Sequence, residues 1–239
     1  MGILSEFTDR IRQLGFVGLH FLESRQDLDE RLYPEEQEYI RHAAPKRFHE
    51  FRTVRALARE GLAELGHARP PMVPGEWGEP MWPAGIVGSI THCDGYRAIV
   101  VAERAQVRSV GIDAETNCPL PSSVYRKFSS ALERDYVRRL EEVVPQVCGD
   151  ILLFSVKESI YKAWFPMTHT RLRFDQVCVQ LLPNGSFHAV LLVLPRQTDA
   201  ILHSFDGRWD LSEGVLRTIV DLAAPAALIT VREVHASRR

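Results

Sequence analysis

The chain has 239 residues and a formal net charge of −2, with 45% apolar and 25% charged residues. This composition is typical of a globular protein that is long enough for one large domain or two small ones. Because the balanced charge creates no overall field, we expect neither nucleic acid nor a membrane surface as a partner, and we expect any anion site to be local.

The four cysteines are widely spaced and form no Cys-x-x-Cys pair. This spacing argues against a structural zinc site, and scattered thiols in a chain of this length are typical of a reducing compartment. No stretch approaches the roughly eighteen apolar residues that a membrane-spanning helix needs. We therefore expect a cytoplasmic protein.

The first strong element is a helix over residues 46–65, preceded by a weaker helical pattern at 34–43. Apolar residues recur at steps of three and four along the stronger helix, which predicts one buried face. Gly66 is expected to end it. These apolar positions are Phe51, Val54, Leu57, Ala58, Leu62 and Leu65. A stretch rich in proline and glycine follows at 67–85 and predicts an irregular loop.

A β-hairpin is predicted next, with strands at 86–92 and 96–103 joined by a turn at Asp94-Gly95. A third strand is predicted at 107–115. Two helices follow, at 122–142 and 150–164. The remainder is rich in strand patterns, which lie at 175–182, 186–194, about 200–210 and 214–221, with a turn at Asn184-Gly185.

This order of helix, strands, helices and strands predicts a mixed α/β (α+β) fold made of two pseudo-symmetric halves that meet near residue 110. We expect an N-terminal half at 1–109 and a C-terminal half at 110–239. Because both halves lie in one chain, a monomer is sufficient.

Two carboxylates follow an apolar strand in the segment VGIDAE, residues 110–115. Side chains alternate along a strand, so Asp113 and Glu115 share a face while Ala114 lies on the other. Two carboxylates on one face favour a hard divalent cation between them. The spacing alone favours a solvated strand end with two surface acids, because short motifs match often by chance.

Lysine is rare in this chain, yet Lys157 and Lys162 both fall within FSVKESIYKAW, residues 154–164. On a helix Glu158 and Lys162 lie four residues apart on one face. The simplest interpretation is a surface salt bridge that contributes a few tenths of a kcal/mol. The alternative is a third metal carboxylate flanked by two ammonium groups that face a phosphate. The buried stripe of this helix is predicted to be Leu152, Val156, Ile160, Ala163 and Trp164.

Basic and hydroxyl groups form a second set. Four arginines line one side of the helix at 46–65: Arg47, Arg52, Arg55 and Arg59. We interpret Arg52 and Arg59 as solvated. Ser89, Thr91 and His92 end a strand after the proline-rich loop, where hydroxyl and imidazole groups are suitable phosphate donors.

Taken together, these segments resemble the Sfp-type 4′-phosphopantetheinyl transferases, in the branch of the enterobactin-synthase transferases and their actinobacterial relatives. The resemblance covers about residues 45–210. It rests on Arg47 with Arg55 and on four segments: GEP at 78–80, SITHCDGYRA at 89–98, VGIDAE at 110–115 and FSVKESIYKAWFP at 154–166.

The resemblance implies transfer of the 4′-phosphopantetheine arm of coenzyme A to a serine of an apo acyl or peptidyl carrier protein, with release of 3′,5′-ADP. The carriers would serve polyketide, nonribosomal peptide or siderophore synthesis. The ion would be Mg²⁺, with Mn²⁺ as the alternative, and the active site would lie in the cleft between the two halves.

The resemblance also implies roles for the matching residues. Asp113, Glu115 and Glu158 would be the metal ligands, with Glu158 alternatively the general base. The catalytic residues would be Glu158, Lys162 and Asp113. The contacts to coenzyme A would come from Arg47, Arg55, Thr91, His92, Lys157 and Lys162.

Three points stay open in the sequence. Relatives often carry a lysine where this chain has Pro74, so one cationic contact is either absent or replaced by stacking from Trp77. That departure leaves a non-catalytic protein that binds coenzyme A or a carrier as the alternative function. The carrier is expected to dock on 117–150, where Val124 and Phe128 belong either to an apolar patch or to the core.

Overall fold

The computed structural model describes residues 18–193 and 203–223. Within these ranges the chain forms five α-helices and two antiparallel sheets. This confirms the expected mixed α+β class. The described helices include none with the length and apolar character that crossing a bilayer requires. The start of the strand predicted at about 200–210 lies outside the described residues, as do the residues after 223.

The first sheet has three strands in the order β1-β3-β2. Its strands are β1 His20–Ser24, β2 Ile86–Cys93 and β3 Tyr96–Glu103. The hairpin was predicted with its turn, where Gly95 adopts a φ of 68° that suits glycine. The sequence pattern gave no sign of β1, which pairs with β3 along all five of its residues.

Two helices accompany this sheet: α1 Pro34–Ile40 and α2 Pro45–Glu64. The long helix packs on β3 and β1. Five of its six predicted core residues are buried, and Leu65 at the C-cap is partly exposed. The apolar period of the sequence therefore gave the correct buried face.

The second sheet has five strands in the order β4-β8-β7-β6-β5. Its strands are β4 Val107–Thr116, β5 Val177–Leu182, β6 Ser186–Leu191, β7 Ser204–Ser212 and β8 Val215–Ala223. The strand β4 spans the expected boundary at 109/110. The division of the chain into two halves at that boundary remains a prediction.

Three helices pack against or beside the second sheet: α3 Ser122–Phe128, α4 Ala131–Val143 and α5 Gly149–Thr168. The single helix predicted at 122–142 is wrong, because the chain breaks at Ser129 and starts again. Ser130 Oγ accepts the backbone N–H of Glu133 at 3.2 Å, and Glu133 Oε2 accepts the backbone N–H of Ser130 at 2.7 Å. This reciprocal cap stabilises a new helix start.

The helix α5 packs across β4 and β8, and its predicted apolar stripe is buried throughout. A Cβ on Gly111 of β4 would overlap the carbonyl oxygen of Ser159 and lie 2.7 Å from the backbone nitrogen of Ala163. The close approach of helix and strand therefore requires glycine at position 111. It brings Glu158 and Lys162 next to Asp113.

Candidate active site

A cavity of about 330 Å³ lies between the two sheets. One side is formed by α2, β2 and the loop around residues 74–80. The other side is formed by β4 and α5. Its lining includes Arg47, Arg55, Thr91, His92, Asp113, Glu158 and Lys162. The fold thus brings together seven of the nine residues that the sequence proposed for the site, and two, Glu115 and Lys157, lie outside the lining.

Arg55 is the most buried of the cations that line the cavity, with 4% of its surface exposed. Its Nε donates to the carbonyl oxygen of Met72 at 2.7 Å, and its guanidinium lies 3.9 Å from the centre of the Phe51 ring. Burial lowers the pKa of Arg55 to about 10, so the group stays charged at neutral pH. Within the described ranges it makes no ion pair with a carboxylate, which leaves its charge available for an anion in the cavity.

His92 and Arg47 lie beside this position. Arg47 Nη1 donates to His92 Nε2 at 2.6 Å, and Glu50 Oε2 lies 3.5 Å from His92 Nδ1. Since a guanidinium only donates, Nε2 is the acceptor and the ring proton sits on Nδ1. Burial, and then the charge of Arg47, lower the pKa of His92, so the imidazole is neutral at physiological pH. We call Arg47, Arg55 and His92 the basic wall.

Asp113 faces the basic wall from β4 with 5% of its surface exposed. Lys162 Nζ donates to its Oδ1 at 2.6 Å, and Thr91 Oγ1 donates to the same oxygen at 3.3 Å. The other oxygen, Oδ2, is buried and makes no hydrogen bond within the described residues. A buried carboxylate oxygen without a donor is costly, so a cation in contact with this oxygen would be stabilising.

Glu115 and Glu158 complete an acidic cluster around Asp113. Burial, and then repulsion from Asp113, raise the pKa of Glu115 to about 7. Burial also raises the pKa of Glu158, with Lys162 acting against the shift and Asp113 adding to it. Three carboxylates that repel one another in this way favour a cation between them. We call Asp113, Glu115 and Glu158 the acidic wall; Asp113 and Glu158 line the cavity, and Glu115 lies outside its lining.

These carboxylates fit a magnesium ion only in part. Within the described part of the chain, no group of three or more His, Cys, Asp or Glu side chains is placed so that it could hold a metal ion. Mg²⁺ is commonly held by one or two carboxylates, with waters and substrate phosphate oxygens completing its shell. The unpartnered oxygen of Asp113 together with its acidic neighbours fits that mode of binding.

Thr91 connects the walls instead of offering a free hydroxyl. Its Oγ1 accepts the N–H of Ala114 at 3.0 Å and directs its one proton to Asp113. Ser89 Oγ similarly accepts the N–H of Ile112 at 3.1 Å. These hydroxyls join β2 to β4, which belong to different sheets, and they set the position of Asp113. The expected contact of Thr91 with coenzyme A therefore remains a prediction.

Lys157 does not line the cavity, and the structure contradicts the expected phosphate contact. Its surface is 2% exposed, and its Nζ lies 2.7 Å from Glu133 Oε1. The same nitrogen donates to the carbonyl oxygens of Phe128, Phe174 and Val177 at 2.9, 2.9 and 3.2 Å. Every donor of this ammonium is therefore engaged on the side of α5 that faces α4 and β5.

The loop at 74–80 forms the rim of the cavity. Pro74 and Pro80 form a β-bridge, and Glu79 Oε2 accepts the N–H of Trp77 at 2.9 Å inside the loop. The Trp77 side chain is 64% exposed, and its ring centre lies 6.4 Å from that of Phe165. Trp77 is thus not a core residue, and its exposed ring stays a candidate for stacking.

Sequence reasoning missed a buried ionic pair next to the basic wall. Arg59, interpreted as solvated, is 1% exposed and pairs with Glu36, which is 0% exposed. Arg52 is half-buried and also departs from the solvated interpretation, since only 20% of its side chain is exposed, and it pairs with the exposed Asp29 at 2.7 Å. The only signal for Arg59 is its position one helical turn after Arg55, on the same side of α2.

Comparison with known proteins agrees with the geometry. The family model described as the 4′-phosphopantetheinyl transferase N-terminal domain matches residues 35–102, and the model of the 4′-phosphopantetheinyl transferase superfamily matches residues 109–217. The chain is 45% identical over 208 residues to 4′-phosphopantetheinyl transferase Svp of Streptomyces mobaraensis, a match that covers 86% of this chain and 85% of the relative.

Two further relatives are similar. The chain is 38% identical over 226 residues to 4′-phosphopantetheinyl transferase Npt of Nocardia iowensis, covering 90% of this chain and 99% of the relative. It is 32% identical over 158 residues to enterobactin synthase component D of Escherichia coli K12, covering 63% of this chain and 73% of the relative.

Proposed function

The chain belongs to the 4′-phosphopantetheinyl transferase superfamily, and from that premise we propose that it moves the 4′-phosphopantetheine arm of coenzyme A to a serine of an apo carrier protein. The observation that carries the proposal is that one cavity contains a buried cation without a counter-ion and a buried carboxylate oxygen without a donor, among the residues that the structure describes. Among the described residues, Arg55 is buried with no carboxylate in contact, and Asp113, which pairs with Lys162 through Oδ1, is buried with Oδ2 unpartnered. A phosphate-rich substrate together with a divalent cation satisfies both.

The basic wall receives the phosphates of coenzyme A in this proposal. Arg55, Arg47 and His92 bind the 3′-phosphate and its neighbours. Lys162 lies on the opposite side, next to Asp113, and its side chain is 27% exposed. From there its ammonium reaches the diphosphate. Fixed cations in a partly dry cavity bind phosphate oxygens more strongly than the same groups do in water.

The acidic wall holds Mg²⁺ in this proposal, through Asp113, Glu115 and Glu158, with Mn²⁺ as the alternative ion. A bound magnesium ion would neutralise negative charge on the diphosphate. Lys162 occupies one oxygen of Asp113 and leaves the other, Oδ2, for the ion. Thr91 holds that carboxylate in place through its own hydroxyl.

In the transfer step the carrier serine oxygen forms a bond to the β-phosphorus, and the bond from that phosphorus to the bridging oxygen breaks. The serine proton goes to Glu158 where that residue acts as base, and 3′,5′-ADP leaves with the bridging oxygen. Burial raises the pKa of Glu158 and so makes it a better proton acceptor than an exposed glutamate. The ammonium of Lys162 stabilises the leaving phosphate.

The carrier docks on the surface of α3 and α4 in this proposal. Val124 is 40% exposed, Leu132 is 50% exposed and Val143 is 64% exposed, which gives apolar contacts on the outside. Phe128 is 7% exposed and belongs to the core. Of the two residues named for the docking surface, Val124 is therefore available to contact a carrier helix, whereas Phe128 packs beneath α3 in the core.

Incubation of the full chain with coenzyme A, Mg²⁺ and apo carrier proteins tests the proposal by intact mass spectrometry. We expect the carrier to gain the mass of one phosphopantetheine group, and we expect EDTA to prevent the gain. A panel of polyketide, nonribosomal peptide and siderophore carriers identifies the pathway. An unchanged mass for all carriers would refute the transfer. Tight binding of coenzyme A by calorimetry without turnover would support the non-catalytic alternative.

We further propose that the chain acts as a cytoplasmic monomer. Its cavity is lined by elements of a single chain, so a second copy is not needed to complete it. Light scattering of the purified protein tests the oligomeric state.

A further inference from the structure

The backbone of Met72 is held at both its N–H and its carbonyl oxygen, next to Arg55 of the basic wall. Its N–H donates to Glu36 Oε1 at 2.8 Å, and its carbonyl oxygen accepts Arg55 Nε at 2.7 Å. Met72 itself is 1% exposed. A single residue therefore connects the Glu36 carboxylate to the Arg55 guanidinium, through the N–H and the carbonyl oxygen on either side of its Cα.

Glu36 is itself fixed by several donors. Its second oxygen accepts a bond from Arg59 Nη2 and another from the N–H of Tyr33 at 2.9 Å. Arg59 is held in turn by Glu30 at 2.9 Å and by the carbonyl oxygen of Arg31 at 3.3 Å. A carboxylate with donors on both oxygens has little freedom to move, so it presents a rigid acceptor to Met72.

The contact with Met72 determines which atoms of Arg55 remain for a ligand. Its Nε is used by the Met72 carbonyl, and the face of its guanidinium lies over Phe51. The terminal Nη1 and Nη2 make no hydrogen bond or ion pair within the described residues, and Arg55 lines the cavity. Holding Nε in place leaves the two-nitrogen end of the guanidinium for an anion, which suits the bidentate geometry of a phosphate.

We propose that Glu36 is a positioning residue for recognition of the 3′-phosphate of coenzyme A. It holds the backbone N–H of Met72, and the carbonyl oxygen of Met72 orients Arg55. This inference rests on the proposed function, because it assigns Arg55 to the 3′-phosphate. Glu36 does not line the cavity, so its effect passes through another residue and not through contact with the substrate.

Stability alone does not account for this arrangement. A buried ion pair such as Glu36 with Arg59 is often no more stabilising than apolar residues of the same size. This pair differs from a purely structural one because Glu36 also accepts the N–H of Met72, and the carbonyl oxygen of Met72 accepts Arg55 Nε. A positioning role therefore predicts a change in discrimination between substrates that a purely structural role does not.

The test compares coenzyme A with 3′-dephospho-coenzyme A in the full-length protein. The measured quantity is the ratio of the two kcat/KM values, with apo carrier as acceptor. This ratio is independent of the fraction of enzyme that is folded, because both substrates sample the same preparation. The same ratio is measured from calorimetric Kd values without carrier, so that binding is judged even if transfer fails.

In Glu36→Gln, the amide N–H₂ faces a donor whichever way it turns, because Met72 lies on one side and Tyr33 and Arg59 lie on the other, so the rigid acceptor is lost. We expect the preference for coenzyme A to fall on the order of 10- to 100-fold, as for loss of one hydrogen bond to a charged group. Glu36→Asp keeps the charge on a shorter side chain and should give an intermediate loss. In an Arg55→Met background, either change should leave the ratio unaltered, because the residue that Glu36 positions is gone.

The matched control is Glu35→Gln, the same substitution at the adjacent exposed position, where the ratio should equal that of the wild type. An unchanged ratio in both Glu36 variants would overturn the inference, as would an equal loss for the two substrates. A wild-type protein that binds both substrates equally would also overturn it. Wild-type protein that binds coenzyme A selectively but transfers nothing would refute the proposed function alone.

Discussion

The two walls of the cavity differ in how the fold supports them. The basic wall is carried by α2 and β2, and Arg55 is oriented by one backbone carbonyl of an irregular loop. The acidic wall is carried by β4 and α5, which are packed so closely that Gly111 admits no side chain. Loops tolerate changes in sequence and position better than packed helices and strands do. The difference suggests that substrate selection belongs to the basic wall and chemistry to the acidic wall.

The walls are joined by side chains and not by a shared ladder. Within the described strands, β2 and β4 belong to separate sheets, and the hydroxyls of Ser89 and Thr91 accept backbone N–H groups of β4. Such a joint keeps the walls in register while each sheet retains its own twist. The four predictions below test the division between the walls, from the largest expected effect to the smallest.

Removing the candidate base should affect turnover far more than binding. We expect Glu158→Gln to lower kcat by roughly 10²- to 10⁴-fold, the usual contribution of a general base. The calorimetric affinity for coenzyme A without metal should change little. Asp113→Ala should likewise abolish transfer, while Glu35→Gln serves as an exposed control. Transfer at the wild-type rate in either active-site variant would remove that residue from the mechanism.

Lys157 and Lys162 should separate stability from activity. Lys157→Met leaves Glu133 buried without its ammonium, and breaking a buried pair costs about 3–5 kcal/mol of unfolding free energy. Lys162 is more exposed, so Lys162→Met should cost less stability while reducing transfer. Urea unfolding and carrier modification, measured on both variants, check the difference.

A double variant tests whether the lost stability comes from the unpaired charge of Glu133. Combining Lys157→Met with Glu133→Gln should recover part of the lost stability, because no unpaired buried charge remains. Equal stability of Lys157→Met and wild type would contradict the buried pair described for α5.

A methyl group at position 111 should loosen the acidic wall. Gly111→Ala places Cβ against the backbone of α5 near Ser159 and Ala163. We expect a loss of roughly 1–3 kcal/mol of unfolding free energy, as for an overpacked core. Because the helix that carries Glu158 is displaced, kcat should fall more than the affinity for coenzyme A. A lower affinity with unchanged kcat would argue against the division between the walls.

Acid should slightly lower the free energy of unfolding through His92 of the basic wall. Burial and Arg47 lower its pKa in the folded state, with Lys162 and Arg97 adding to the shift and Glu50 opposing it. Below the ordinary histidine pKa the unfolded chain therefore takes up a proton before the folded chain does. The free energy of unfolding of the ligand-free protein should fall as pH drops from about 7 to about 5.

In His92→Gln this fall should be shallower, and His188→Gln, changed on the second sheet, provides the reference slope. Thermal unfolding at a series of pH values measures both. A slope in His92→Gln identical to that of the wild type would show that His92 does not titrate in this range.

Local pattern was sufficient for α2, α5 and the tight turns, but it did not predict the break between α3 and α4. The apolar period of α2 and α5 gave their buried faces, and the pairs Asp94-Gly95 and Asn184-Gly185 gave two hairpin turns. Each of these signals lies within a few residues, where side-chain period and backbone preference decide the structure. The short strand β1 gave no such signal, because its pairing with β3 joins residues far apart in sequence.

The acidic motif and the lysine helix were predicted from the sequence as separate elements, and their proximity came only from the resemblance. In the structure, α5 crosses β4 at Gly111 and brings Lys162 within 2.6 Å of Asp113. The buried pair of Glu36 and Arg59 had no counterpart in the sequence interpretation. A charged residue looks the same in sequence whether water or a distant side chain compensates it.

The two lysines of α5 show the limit most clearly. Their spacing of five residues places them about 140° apart on any helix, so the sequence by itself determined that they face different surroundings. Which of them faces the cavity was decided by the tertiary structure. Lys157 meets Glu133 from α4 and carbonyls near β5, whereas Lys162 meets Asp113 from β4. The partner of a buried charge is set by long-range packing, because only a contact assembled in the folded chain offsets its loss of water.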